Sequence, residues 1–375
     1  MTSTAILLLH RDNCTISALD PSGDFLATGD ARGDIAVWSF AEQDTIYLDP
    51  FSTTSAITSI SWLTSCLGMV LICGTRDGNI ILSTPVGTEE WDATGSTAFR
   101  GHDSAVIGLL GGLMAVVSAT VHELTLWSCI DGITCERRGV CDLSGMANGA
   151  SVVKIAEKDE SIMDIILFFD NRTIVCYSFL TETIIWCITN PGDCGLSLYI
   201  SGAVIFCTKH RLQVATTGTD CPRIRQVAAS ATHFSRVQDT DNLFLIRTLE
   251  GDVIVWDAEK GDVLFYLDIT DLGNHVHNDT LSAFYDKDEL LLRIIAFPEG
   301  STEGIVWNLT RCCRRNPPTP KFTTLRDVKI KAPTKPKRTS KRQQRLRAAK
   351  RLRKALPHVA VPASVILPPS DTPVI

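Results

Sequence analysis

His275 and His277 stand one residue apart, with Asp279 close behind. Two imidazoles and a carboxylate could hold a metal ion if all three projected from one strand face. The surrounding stretch, DLGNHVHNDT, reads instead as a polar loop, and no further ligand can be identified. His122-Glu123 opens like a helix-borne zinc-hydrolase motif, but Leu126 occupies the position where the second His must stand. No GxGxxG, GxxxxGK[ST] or GxSxG sequence occurs. The thirteen cysteines form no CxxC pair and no Cys/His cluster of zinc-finger spacing. The expectation is no catalytic residue, no metal, no cofactor, no small-molecule substrate and no enzyme activity.

The chemistry that does stand out is anion recognition. Residues 311–375 hold 18 Lys and Arg against 2 acids, whereas residues 1–310 hold 18 against 40, a net −22. Such a split describes an acidic body with a basic arm. Pro317, Pro318 and Pro320 open the arm as a linker. Two basic clusters follow: Lys335, Lys337, Arg338, Lys341 and Arg342, then Lys350, Arg351, Arg353 and Lys354. Their short spacer matches a two-part nuclear-import signal. Direct contact with RNA or DNA is the second reading, because each phosphate contact releases counterions. No aromatic side chain lies among these clusters to stack on a base, which argues against sequence-specific readout. Residues 339–356 lack Gly and Pro and favour a helix once an anionic surface offsets their repulsion; alone the arm is expected to be disordered.

Several cysteines, among them Cys73, Cys176 and Cys207, sit in apolar runs and read as small hydrophobes of a reduced compartment. The first residues have no basic region and only a five-residue apolar run, so secretion is not expected. Residues 104–121 carry no charge, but Gly108, Gly111 and Gly112 divide them into two short runs. Two strands joined by a glycine turn are expected there, not a membrane span.

The elements that position these groups come from a repeat. FLATGDARGDIAVW, ending at Trp38, matches MVLICGTRDGNIILS, ending at Ser83, in its order of apolar run, small polar pair, charged turn, glycine and second β-rich run. The pattern returns with ends at Trp127, Tyr177, Ala215, Trp256 and Trp307, at spacings of 45, 44, 50, 38, 41 and 51 residues. With Gly101-His102, Trp256-Asp257 and the Gly-x-Ile-x-Val-Trp endings at Trp38 and Trp256, the chain resembles the WD-repeat proteins over roughly residues 4–310.

That resemblance implies an all-β, seven-bladed propeller with four strands per blade. The blades are placed at roughly 15–50, 55–100, 104–142, 150–190, 194–228, 231–270 and 280–310. The last repeat lacks a fourth strand, and TAILLLH, residues 4–10, is free to complete it from the other end of the chain. The family often carries an Asp before the third strand that joins a His, a Ser/Thr and a Trp. Ala31 and Leu249 fall near that position, so the polar clamp is expected to be mostly absent.

In this register the turn between the second and third strands carries Arg32, Arg76, Arg172 and Arg211 in the first, second, fourth and fifth repeats. Four guanidinium groups at one end of an acidic ring would recognise carboxylate or phosphate. The resemblance therefore implies a non-enzymatic scaffold that binds other proteins through its loops. The tail adds importin and RNA as candidate partners and the nucleus as the expected location. A nuclear assembly factor for an RNA–protein particle is the closest version. The alternatives are a cytoplasmic signalling adaptor and, with no residue set behind it, a propeller-type enzyme.

Overall fold

The computed structural model describes residues 5–9, 13–40, 44–48, 55–66, 68–86, 90–158, 161–189, 197–200, 203–208, 211–216, 231–238, 240, 242–248, 252–257, 260, 262–267, 280–286, 291–297 and 303–310. Strand β1 (Ala5–Leu9) stands first in the chain. Blade one follows as β2 (Cys14–Leu19), β3 (Phe25–Asp30), β4 (Ile35–Ser39) and β5 (Asp44–Leu48). Blade two is β6 (Ile57–Ser65), β7 (Gly68–Thr75), β8 (Asn79–Val86) and β9 (Glu90–Arg100). Blade three is β10 (Gly108–Gly111), β11 (Ala115–Ala119), β12 (Glu123–Ser128) and β13 (Glu136–Asp142). Blade four is β14 (Val152–Lys158), β15 (Ser161–Phe169), β16 (Thr173–Ser178) and β17 (Thr183–Thr189).

A three-stranded sheet comes next: β18 (Ser197–Ile200), β19 (Ala203–Thr208) and β20 (Arg211–Thr216). Blade five is β21 (Ala231–Arg236), β22 (Leu243–Thr248), β23 (Val253–Asp257) and β24 (Asp262–Leu267). Blade six is β25 (Thr280–Asp286), β26 (Leu291–Phe297) and β27 (Glu303–Thr310), with β1 as its outer strand. The expectation of seven four-stranded blades is therefore corrected. Among the described residues six sheets have four strands and one, β18–β20, has three. Residues 217–228, the rest of the blade expected at 194–228, lie outside the described residues.

Each blade is an antiparallel meander, and the first strand of each sheet packs beside the first strand of the next until β25 meets β2. These inner strands run parallel. Near their starts, Thr15 Oγ1 on β2 donates to the Ile57 carbonyl of β6 at 2.9 Å. Thr58 Oγ1 on β6 donates to the Val106 carbonyl, just ahead of β10, at 2.6 Å. Near their ends, Thr64 forms a parallel bridge with Leu113. All turns between second and third strands therefore lie at one end of the ring. The turns between first and second strands, and between third and fourth, lie at the other.

The ring is held by apolar layers between neighbouring sheets. Ala27, Ile35 and Val37 of blade one pack on Ile57, Trp62 and Leu71 of blade two. Leu19 and Leu26 pack on Phe284, Ile295, Phe297 and Val306 of blade six, which closes the circle. Middle strands bury both faces, so they read as apolar runs; Leu243 to Ile246 of β22 are all buried. At the closure, β1 pairs antiparallel with β27, Ala5 opposite Trp307 and Leu9 opposite Glu303.

The uncharged stretch at residues 104–121 contributes β10 and β11, paired antiparallel, with Leu109 opposite Ser118. Among the described residues no helix is long and apolar enough to cross a membrane. The ring falls within the first of two compact units, Met1–Thr323. The second, Thr324–Ile375, lies outside the described residues.

Candidate functional site

The turns at the first end are built by one device at a near-constant interval. The last residue of β3, buried Asp30, accepts the backbone N–H of Arg32 at 2.9 Å and of Asp34 at 2.8 Å through Oδ1. Forty-five residues on, Thr75 ends β7; its hydroxyl accepts from Asn79 N at 2.9 Å and bonds Asp77 at 2.5 Å. Forty-five further, Thr120 Oγ1 accepts from His122 N at 3.3 Å and Glu123 N at 3.0 Å. In blade four Asn171 Oδ1 accepts from Thr173 N at 3.0 Å. A short polar side chain that bonds its own backbone two to four residues on makes a tight, rigid turn. In the second turn, the Thr75 hydroxyl also holds the exposed Asp77 carboxyl below the usual carboxylate range.

Three of the four candidate arginines ride on these turns. Arg32, Arg76 and Arg172 are each exposed and lie between the second and third strands of blades one, two and four. The Arg76 N–H donates to the Ala56 carbonyl at 2.9 Å. Arg172 has φ of 69°, a left-handed conformation uncommon outside glycine. Neither Arg76 nor Arg172 is ion-paired with a described acid. Arg211 differs: it is the first residue of β20, opposite Thr208, and its side chain lies outside the described residues.

The polar clamp, expected to be mostly absent, is complete in blade three. His102, buried ahead of β10, places Nε2 at 2.6 Å from Ser118 Oγ and Nδ1 at 2.8 Å from Glu123 Oε1. Trp127 Nε1 donates to the same Ser118 oxygen at 2.7 Å. Glu123, first residue of β12, thus serves where the resemblance implies an Asp, while His122 beside it is exposed. Burial holds the His102 pKa below its usual value, partly offset by the Glu123 carboxylate. A second perturbed histidine, His233 on β21, is held near 4, first by burial and then by the charges of Lys154 and Arg247. Lys154 Nζ itself donates to the Ser197 carbonyl at 2.9 Å, joining blade four to the three-stranded sheet.

Cys129 and Cys135 form a disulfide, which departs from the expectation of a reduced compartment; Cys14, Cys66, Cys73, Cys141, Cys176 and Cys187 form none. Burial pushes the Cys73 thiol far up, so it acts as a hydrophobe. Among the described residues no group of three or more His, Cys, Asp or Glu is placed to hold a metal. His275, His277 and Asp279 lie outside the described residues, as do both basic clusters of the tail.

No protein-family profile matches the sequence, and no curated protein resembles it closely enough to count as a relative. Solved structures do match. One is the β-propeller domain of Cps50 (Swd1) from Myceliophteria thermophila, with a TM-score of 0.59 at 15% identity, covering 82% of this chain and all of that one. With the 45-residue turn device, the closed ring of inner strands and the His102–Ser118–Trp127 clamp, the chain has the fold of a WD-repeat β-propeller.

Proposed function

We propose that the chain is a non-enzymatic interaction scaffold that takes an anionic protein segment on the end of the ring bearing Arg32, Arg76 and Arg172. The observation that carries this reading is three exposed guanidinium groups on rigid turns at one end of a body whose net charge is −22. Guanidinium binds carboxylate or phosphate by paired hydrogen bonds, and a local cationic site in an acidic surround selects for anions over cations. Arg211 belongs to the same set by repeat register.

The tail supports a nuclear version of this role. Its two basic clusters would engage importin, and RNA secondarily, which makes an assembly factor for an RNA–protein particle the specific form of the proposal. Replacing Arg32, Arg76, Arg172 and Arg211 with Ala tests the scaffold reading. The variant should keep its melting temperature, because surface changes usually alter stability by within about 0.5 kcal/mol. It should lose its main co-purifying protein. A variant that retains its full set of bound proteins overturns the proposal.

A further inference from the structure

The opposite end of the ring carries a different chemistry. Leu113, in the turn between β10 and β11, is 73% exposed. Ile130 and Ile133, in the turn between β12 and β13, are 56% and 41% exposed, and Leu180, in the corresponding turn of blade four, is 73% exposed. Scattered surface aliphatics are ordinary, but four on adjoining turns are not.

These turns are physically joined. Thr64 bridges Leu113, the Cys129 N–H donates to the Met114 carbonyl at 2.9 Å, and the Cys66 N–H donates to the Ile130 carbonyl at 3.3 Å. Gly112, next to Leu113, lies against Ile162, whose neighbour Met163 accepts the Phe179 N–H at 2.8 Å, one residue before Leu180.

The turn that displays Ile130 and Ile133 is also unusually fixed. The Cys129–Cys135 disulfide closes it. Inside it, Asp131 accepts from Ile133 N, Thr134 N and Thr134 Oγ1 at 3.0, 2.7 and 2.6 Å. Thr97 Oγ1 donates to the Ile133 carbonyl at 2.8 Å. Aliphatic side chains held in water by a rigid frame lose little freedom on meeting a partner.

Charge says what the partner is. Asp131 and Glu182 sit in the same two turns, and neither is ion-paired with a described cation. The nearby Arg137 and Arg138 are already taken, at 3.7 Å by Glu123 and at 2.7 Å by Glu136. Among the described residues this surface is thus apolar with a negative surplus.

We propose that the turns bearing Leu113, Ile130, Ile133 and Leu180 form a docking surface for a segment of another protein in which aliphatic side chains are flanked by Lys or Arg. The scaffold would then hold two partners of opposite charge at its two ends. This surface does not depend on the arginine turns, and each can fail without the other.

The test pans a displayed library of random 12-residue peptides on the full chain, in parallel with the Leu113→Ser/Ile133→Ser/Leu180→Ser variant. Peptides enriched on the wild type over the variant should be rich in both aliphatic and basic residues. By fluorescence anisotropy, their affinity should fall at least tenfold on that variant and several-fold on Asp131→Asn/Glu182→Gln. It should be unchanged on Arg32→Ala/Arg76→Ala/Arg172→Ala. Should the triple variant fail to fold, the acid-replacement pair and Leu180→Ser alone carry the comparison. No differential enrichment, enrichment of acidic or uncharged peptides, or loss of binding in the arginine variant overturns the proposal. So does a wild-type dimer in sedimentation that the triple variant abolishes, since the occupant would then be a second copy of the chain.

Discussion

Glu123 Oε1 lies 2.8 Å from His102 Nδ1, and that contact sets the proton order of a buried chain. A carboxylate can only accept, so Nδ1 carries the proton. Nε2 of the neutral ring is then an acceptor, and the Ser118 hydroxyl donates to it while taking the Trp127 N–H. Ser118→Ala removes the middle of this chain. It leaves the Trp127 donor and the His102 acceptor buried without partners, at a cost of about 1–3 kcal/mol. Urea denaturation of the variant reads this directly; an unchanged midpoint would mean the chain contributes nothing to stability.

The same chain predicts a pH response. His102 titrates below its unfolded value, with Glu123, Arg137 and Asp103 as the charges that act on it besides burial. His233 does so down to about 4. A folded pKa below the unfolded one means that the unfolded chain takes up the proton first. The stability these two residues contribute is full above about pH 6.5 and falls as pH drops from there toward the folded values. The melting temperature should decline on going from about pH 7 to about pH 5. The decline should be smaller in His233→Gln. Equal declines in wild type and variant would remove His233 from the account.

Much of this fold was legible because the third strands repeat. Trp38, Trp127, Trp256 and Trp307 end the apolar runs that became β4, β12, β23 and β27. Those strands are covered on both faces, so their pattern survives divergence. Outer strands gave less signal. In β13, ERRGVCD, only Cys141 is buried, and an edge strand facing water has little alternation to read. KHR is polar and so reads as a turn, but the register pairs Thr208 with Arg211, so Arg211 opens the strand. Glu123 is not legible as the clamp acid because the resemblance implies an Asp ahead of the strand, whereas Glu123 is the first residue of β12. Leu113 sits in an apolar stretch that reads as strand, and only the backbone path reveals its exposure.

Ring closure by β1 makes a cooperative prediction. Its five residues pair from Ala5–Trp307 to Leu9–Glu303 and are the sole cover for the β27 edge among the described residues. Deleting residues 1–12 opens that edge, and a bare edge invites aggregation as well as lost stability. The truncated chain should melt at a clearly lower temperature and aggregate sooner in light scattering. An unaltered melting curve would mean the blade does not need its fourth strand.

Gly78 tests the turn that carries Arg76. Its φ is +91°, and a Cβ there would lie 2.2 Å from the His102 carbonyl oxygen, which is backbone and cannot swing away. The Gly78 carbonyl also accepts the N–H groups of Gly101 and His102. Gly78→Ala should therefore strain the turn and pull His102 from Ser118, costing about 1–3 kcal/mol from the backbone conformation alone. Denaturant unfolding measures the loss, and a cost near zero would show that the loop 101–104 moves freely.

The tail yields the last prediction. Lys335, Lys337, Arg338, Lys341 and Arg342 form one basic cluster, and Lys350, Arg351, Arg353 and Lys354 form the second. Two basic groups of this spacing can be read as an extended or helical segment on an acidic receptor groove. Residues 331–356 fused to a fluorescent reporter should therefore concentrate it in the nucleus, and a chain cut after residue 310 should not. Thr339 and Ser340 lie inside the first cluster. Phosphorylation would add about −1.5 to −2 charge at each and cancel much of that cluster's field. Asp at both positions, a weaker mimic, should slow nuclear accumulation without abolishing it. A reporter spread evenly through the cell would turn the tail into a solvated charge run. Nuclear entry that ignores the Asp pair, together with RNA retention that weakens steeply with salt, would move its role from import to phosphate binding.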